Sequence, residues 1–228
     1  MKLAVVMPVY NEKNTILKIL EKVQKTPFEK TIIIVDDCST DGTREIIKEQ
    51  IKYQNVIKIF SEKNEGKGAA LAKGFKAVPD DCEITIIQDA DLEYDPNDYG
   101  TLLMPIIDGY ADVVYGSRFK GISTSMFFWH YVGNKFLSIM TNILYNTLIT
   151  DMETCYKVFK TKLIKSIDIK SKRFDFEPEI TAKILKRKCK LVEVPIKYYG
   201  RDYTEGKKIT WRDGFSALFT LIKYKFID

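Results

Sequence analysis

Four short, predominantly apolar runs stand out along the chain: Leu3 to Met7, Thr31 to Val35, Ile84 to Ile87 and Ala111 to Tyr115, the last with Asp112 near its start. Runs of this kind, lacking the in-out alternation of a half-exposed strand, predict strands covered on both faces and hence a parallel sheet. Val56 to Phe60 supplies a further strand. Between the runs the apolar spacing becomes helical. Ile16, Leu17, Leu20 and Val23 share one face, and Ile46, Ile47 and Ile51 share another. This alternation, kept up through about residue 120, predicts a doubly wound α/β arrangement with ligands bound beyond the carboxyl ends of the strands.

The second half is less regular. Helical spacing recurs at Trp129 to Thr147, Glu177 to Lys188 and Gly214 to Phe226, and a strand is expected at Leu191 to Tyr198. Pro195 makes that strand an edge or a bulged one, because it has no amide hydrogen to give a neighbour. No repeat or low-complexity linker divides the chain, and 228 residues with 45% hydrophobic content suit one core, so a single domain is expected.

Charge and cysteine content narrow the partners. The net charge of +5 is spread along the chain, which suits anionic phosphates or lipid headgroups. With no zinc knuckle, RNA-recognition signature or arginine-rich arm, nucleic acid is not an expected partner. Cys38, Cys82, Cys155 and Cys189 lie far apart without metal-ligand spacing, which points to free thiols in a reducing compartment, the cytoplasm by default. The first apolar run is too short for a signal peptide. Trp129 to Ile149 is interrupted by Asn134, Lys135, Ser138, Thr141, Asn142 and Asn146, whereas a spanning helix needs about 20 largely apolar residues.

The candidate chemistry lies at the strand exits. Pro8-Val9-Tyr10-Asn11-Glu12 places a ring and a carboxylate where a nucleotide base could stack and be held, although Asn11 or Asn14 serves equally well as a helix cap. No Gly-x-Gly-x-x-Gly follows, which argues against a dinucleotide site. Asp41-Gly42 reads as turn and cap chemistry, but the adjacent Asp36 and Asp37 need donors or a cation, and a base or ribose would supply them. Gly66-Lys67-Gly68 opens a helix and suits either a pyrophosphate contact or a plain turn. The strongest signal is Gln88-Asp89-Ala90-Asp91-Leu92-Glu93. If the preceding strand extends, Asp89 and Asp91 point to one side and share a hard cation, magnesium or manganese, with Glu93 as a third oxygen donor. Asp95-Pro96 reads as a helix start, and Arg118 after Gly116-Ser117 has the planar fork that suits a phosphate.

In this order the motifs resemble family 2 glycosyltransferases with the GT-A fold, and within them the polyprenyl-phosphate (dolichol-phosphate) mannosyl- and glucosyltransferases. The resemblance runs through Pro8 to Glu12, Asp36 to Thr43, Asn64 to Ala70, Asp89 to Pro96, Gly116 to Arg118, Thr150 to Phe159, Phe176 to Ile180 and Val194 to Gly214. It implies a Rossmann-like, mostly parallel sheet flanked by helices in a single domain 1–228. Residues 1–120 would form the nucleotide-sugar-binding half, and 121–228 the acceptor-binding half with a C-terminal amphipathic helix. It implies that Pro8, Tyr10, Glu12, Asp37, Lys67 and Asp89 hold the nucleotide sugar and that Asp89, Asp91 and Glu93 hold Mg2+ or Mn2+. Asp91, Arg118, Arg201 and Lys207 would be catalytic, the last two in a basic loop that also carries Lys208.

The implied reaction moves a hexose, with inversion, from a donor of the GDP-mannose or UDP-glucose type to a polyprenyl or dolichyl phosphate. Such an acceptor, with a second pKa of about 6, needs positioning more than a base. A glycan hydroxyl as acceptor would need a carboxylate base, for which Asp151 or Glu153 is the candidate. A non-catalytic nucleotide-sugar-binding protein is the further alternative. The last helix carries Phe215, Leu218, Phe219, Ile222 and Phe226 in one stripe with Lys223 and Lys225 off it. That pattern predicts peripheral contact with the cytoplasmic face of a membrane, alone or with a separate membrane-protein partner.

Overall fold

The protein's structure, a computed structural model, describes residues 1–124, 127–200 and 211–227. The apolar runs all become strands: β1 (Leu3–Val9), β2 (Lys30–Asp36), β3 (Val56–Phe60), β4 (Ile84–Ile87) and β5 (Val113–Ser117). They alternate with α1 (Ile16–Lys25), α2 (Thr43–Glu49), α3 (Lys67–Lys76) and α4 (Tyr99–Ile107). β2, β4 and β5 are buried at every position, as unbroken apolar runs require. Asp95 starts the turn before α4 as expected, its side chain accepting from the Asn97 amide ahead of Pro96.

The second half supplies β6 (Ser123–Thr124), α5 (Phe128–Tyr145), β7 (Lys157–Lys160), α6 (Thr161–Lys165), α7 (Phe176–Lys186), β8 (Leu191–Pro195), β9 (Tyr198–Tyr199) and α8 (Trp211–Phe226). One sheet runs in the order β3-β2-β1-β4-β7-β5-β8. All its pairings are parallel except those of β7, which lies antiparallel between β4 and β5. The apolar pattern does not predict β7, which has only four residues and a lysine at each end. Through it, the second half of the chain enters the middle of the sheet that the first half builds.

The strand expected from Leu191 to Tyr198 is interrupted. β8 ends at Pro195 on the sheet's outer edge, where a residue without an amide hydrogen is tolerated. Tyr198 and Tyr199 pair instead with β6 in a separate two-stranded ribbon. That ribbon is tied to the exit of β4 by a Tyr94–Tyr198 bridge and by the Tyr199 amide donating to the Glu93 carbonyl at 2.9 Å. A smaller apolar cluster of Leu137, Ile149, Met152, Ala217 and Leu221 joins α5 to α8.

The start of α3 is fixed by a close backbone approach. A Cβ on Gly68 would sit 2.4 Å from the Ser171 carbonyl oxygen, and one on Gly66, whose φ is +97°, would sit 2.5 Å from that of Lys172. Segment 170–171 is in turn held by Glu179, fully buried on α7, which accepts from the amides of Lys170 and Ser171 and from the Lys183 ammonium. Burial alone would raise the Glu179 pKa, but the donors from Lys183, Ser171 and Lys170 outweigh it and hold the carboxyl below the ordinary glutamate value. A depressed native pKa contributes stability above the unfolded value that is lost as pH falls through the native one. Glu179→Gln is therefore expected to cost about 1.5–3 kcal/mol at neutral pH. Urea titrations at successive pH values should show that difference closing as the solution is acidified.

Candidate active site

The exits of β1 and β2 are stapled by their own polar side chains. The Asn11 amide donates to Ser39 Oγ at 2.9 Å, Asn11 Oδ1 accepts from the Thr40 amide at 2.8 Å, and the Glu12 amide donates to Thr43 Oγ1 at 2.9 Å. Asn11, at φ +55°, thus ties two loops together and does not cap α1; Asn14 is exposed, and the position before α1 is Thr15. Pro8 and Tyr10 are half-buried beside this staple. Glu12, 8% exposed, accepts from Thr15 Oγ1 at 2.8 Å.

The adjacent acids Asp36 and Asp37 are satisfied within the chain, so they do not require a base or ribose. Asp36 pairs with Arg44 Nε at 2.6 Å and accepts from the Ser39 amide. Asp37 accepts from the amides of Glu65 at 3.1 Å and Gly66 at 2.6 Å, which fixes the loop leading into α3. Asp41 does act in the expected turn, accepting from the amide and hydroxyl of Thr43 before α2.

β4 stops at Ile87, and the acids follow in a turn rather than in an extended strand. Gln88, fully buried, pins the turn by accepting from the hydroxyls of Tyr99 and Tyr156 while donating to the Asp89 carbonyl. Asp91 Oδ1 accepts from the Glu93 amide at 3.0 Å, Leu92 has φ +66°, and Glu93 Oε2 accepts from the Tyr198 hydroxyl at 3.0 Å. Asp89 Oδ2 lies 3.0 Å from Lys67 Nζ, which is also 3.0 Å from Glu177 Oε1 at the start of α7. Burial works against the Lys67 charge, but Asp89 and Glu177 outweigh it and hold the ammonium well above the ordinary lysine range. Burial and the Asp89 charge push the nearby Cys155 thiol up, so it stays protonated. All four cysteines are free thiols, as their spacing suggested.

Among the described residues, no three histidine, cysteine or acidic side chains cluster closely enough to hold a metal by themselves. The residues at the β4 exit nonetheless fit a hard divalent cation. Mg2+ is commonly bound by one or two carboxylates, with substrate phosphates and water completing the shell, and Asp89 and Asp91 are such carboxylates. Asp89 already holds a cation, the Lys67 ammonium, in the place where charge compensation is needed.

Arg118 is not a free phosphate grip. It is 8% exposed and makes a two-pronged pair with the fully buried Asp151, Nε to Oδ2 at 2.8 Å and Nη2 to Oδ1 at 2.7 Å. Its backbone amide donates to the same carboxylate at 2.9 Å. Burial opposes the Arg118 charge and Asp151 outweighs it, holding the guanidinium above its ordinary value. Around the candidate base Glu153 lie further buried polar groups that the sequence did not single out. Lys157, fully buried, donates to the carbonyls of Met152 and Thr154. Glu153 Oε1, Thr154 Oγ1 and Glu177 Oε2 are buried without a hydrogen-bond partner among the described residues. Burial, then the charge of Glu177, push the Glu153 carboxyl up to about 8.

Next to Arg118 opens a cleft of about 380 Å³ lined by Arg118, Phe119, Gly121, Ser123, Phe128, Tyr131 and Lys135. The Lys135 ammonium stands 3.9 Å from the Phe119 ring centroid. Arg201 and Lys207, with Lys208, lie outside the described residues. The strand exits thus bring together Asp89, Lys67 and Glu177, and separately Arg118 and Asp151.

A family model described as Glycosyl transferase family 2 matches residues 4–168. The chain is 33% identical over 227 residues to an uncharacterised protein of Methanocaldococcus jannaschii, a match covering 97% of this chain and 91% of the relative. It is 30% identical over 238 residues to a UDP-N-acetylglucosamine–dolichyl-phosphate N-acetylglucosaminyltransferase of Methanococcus voltae, covering 96% and 94% of the two chains. Among solved structures it resembles glucosyl-3-phosphoglycerate synthase of Mycobacterium tuberculosis, in a complex with Mn2+, UDP and glucosyl-3-phosphoglycerate. That likeness has a TM-score of 0.76 at 16% identity and covers all of this chain and 81% of the other, so it shows a shared GT-A-like fold.

Two measurements check the electrostatics of the site. Asp151→Ala strands a buried guanidinium and is expected to cost about 3–5 kcal/mol in a denaturant titration. Glu153, with a native pKa near 8, takes up a proton on folding between the ordinary glutamate value of 4.5 and 8, so stability falls as pH rises across that window. Glu153→Gln should flatten this slope in melting temperature against pH.

Proposed function

The chain belongs to glycosyltransferase family 2, and on that premise we propose that it transfers a hexose from a nucleotide diphosphate sugar to a polyprenyl or dolichyl phosphate. The observation that carries the acceptor is the cleft beside Arg118. It sets the Lys135 cation against the rings of Phe119 and Tyr131, with Phe128 lining the same cleft, which suits a ligand with a phosphate head and an apolar tail. The Methanococcus relative, similar over nearly its whole length, is named for a dolichyl-phosphate acceptor and supports the same reading.

On this reading the donor lies over the exits of β1, β2 and β4, bounded by Pro8, Tyr10, Glu12, Asp37 and Lys67. Asp89 and Asp91, with Glu93 beside them, would hold Mg2+ or Mn2+, which supplies charge neutralisation for the departing diphosphate. Lys67, standing between Asp89 and Glu177, adds a fixed positive charge to the same floor. Arg118 acts through position. Locked to Asp151, it presents a rigid cationic wall between donor floor and acceptor cleft. The acceptor's phosphate oxygen attacks the anomeric carbon and the bond from that carbon to the diphosphate oxygen breaks. Its electron pair leaves with the nucleoside diphosphate, and the anomeric centre inverts.

A phosphate monoester needs no base, and the two base candidates on the second half are poorly placed to be one. Asp151 has both oxygens engaged by Arg118, and Glu153 keeps its proton at neutral pH. Transfer to a glycan hydroxyl is favoured by one feature, the buried Glu177 Oε2, which has no hydrogen-bond partner among the described residues and belongs to the carboxylate that shares Lys67 with Asp89. Labelled nucleotide sugars of the GDP-mannose, UDP-glucose and UDP-N-acetylglucosamine types should be presented with a short prenyl phosphate and with free glycans. Label is expected in the prenyl phosphate, and transfer to a glycan alone would refute the acceptor assignment. Lys135→Ala is expected to raise KM for the prenyl phosphate roughly tenfold, the worth of one charge-assisted contact, with KM for the donor unchanged.

A further inference from the structure

α5 and α8 pack against each other through one face each, with Leu137, Ala217 and Leu221 buried between them and the Tyr145 hydroxyl donating to the Leu221 carbonyl at 2.7 Å. The opposite faces are also apolar. On α5, Val132, Phe136, Ile139 and Ile143 follow at successive intervals of four, three and four, and all are exposed. On α8, Phe215, Phe219, Ile222 and Phe226 repeat the same intervals and are exposed too. Ile143 is 70% exposed, Phe219 68% and Phe226 80%, and Trp129 at the start of α5 is 79% exposed. Each helix therefore carries two apolar stripes, of which the core uses only one. The sequence pattern alone assigned Leu218 to the outer stripe, but that residue is half-buried against the inner cluster.

The charges along these two rows are of one sign. From Phe119 to Thr150 the chain holds no aspartate or glutamate but carries Lys135 and Lys120, the latter paired with Glu193 at 3.0 Å, and from Gly214 to Ile227 it holds none but carries Lys223 and Lys225. Two apolar rows that carry lysines and no carboxylate of their own complement an anionic headgroup layer over hydrocarbon. A second copy fits less well, because a two-fold contact would bring these acid-free surfaces together without a counter-charge. Among the described residues no helix is long and apolar enough to cross a membrane.

We propose that the outer faces of α5 and α8 seat the protein on an anionic lipid bilayer, with the two apolar rows in the headgroup layer and the lysines on the lipid phosphates. This deepens the acceptor assignment and rests on it for its purpose. Phe128 and Tyr131 belong both to α5 and to the cleft beside Arg118, so a seated enzyme opens that cleft at the depth where a lipid phosphate resides.

The test is co-sedimentation with vesicles of phosphatidylcholine alone or of phosphatidylglycerol and phosphatidylcholine in equal parts. The full chain is expected to bind the anionic vesicles, to bind the neutral ones far less, and to lose affinity as salt is raised. A variant with Ile139→Ser, Ile143→Ser, Phe219→Ser and Ile222→Ser should lose about a hundredfold or more in affinity, since each removes an apolar side chain whose partial burial in the headgroup layer is worth roughly threefold or more. Because these side chains are exposed, the variant's thermal melt should match that of the parent. Its transfer to a water-soluble short prenyl phosphate without vesicles should also be unchanged. Equal binding of parent and variant, no preference for anionic vesicles, or no vesicle binding at all would overturn the proposal. So would a parent dimer in light scattering that the variant abolishes. Vesicle binding as expected but no transfer to any prenyl phosphate would leave the docking face standing and remove the acceptor assignment alone.

Discussion

The Lys67 ammonium, held between Asp89 and Glu177, is the interaction on which the site depends. It draws together the start of α3, the exit of β4 and the start of α7, three elements far apart in sequence. A single cation between two carboxylates, largely withdrawn from water, makes the floor stable without a ligand. One ammonium against two carboxylates still leaves the floor net negative, with Asp91 and Glu93 beside it, which suits it to a divalent cation. The backbone around it is built for close approach, with Gly66 and Gly68 pressed on segment 171–172 and Asp37 holding the loop amides.

The second constraint is the Arg118–Asp151 pair. Burying two charges costs several kcal/mol per ion unless geometry and further hydrogen bonds repay it, and here both carboxylate oxygens and the Arg118 backbone amide are engaged. Arg118, held by Asp151, lines the cleft beside it, and the start of α5 contributes Phe128 and Tyr131 to the same lining. As proposed, donor floor, Arg118, acceptor cleft and apolar platform would follow in sequence across the molecule. On the proposed reading this is the order in which a soluble nucleotide sugar must meet an acceptor anchored in lipid.

Much of the fold was legible in the apolar pattern because buried parallel strands are written as unbroken runs; β3 and β4 match the expected spans residue for residue. β7 was hidden because four residues with a lysine at each end do not look like a central strand, and the buried Lys157 gives its ammonium to carbonyls of its own loop. At the site, the acids of β4 and Arg118 could be picked out by residue type. Their partners could not, since Lys67 to Glu177 and Arg118 to Asp151 are long-range pairs that no local spacing records. The structural role of Asp37 was hidden for a related reason: its donors are loop amides 28 residues further on. The outer apolar stripe of α8 was visible in sequence, whereas its counterpart on α5 emerged only when the structure showed which face of that helix the core uses.

The central claim is that the carboxylates at the β4 exit take a divalent cation together with a nucleoside diphosphate. Titration of Mn2+ into the protein with UDP or GDP, with free Mn2+ followed by electron paramagnetic resonance, tests it most directly. The account predicts that the diphosphate tightens Mn2+ binding and that Asp91→Asn weakens it by roughly tenfold or more. Mn2+ and diphosphate binding that is unaltered in Asp91→Asn would contradict it.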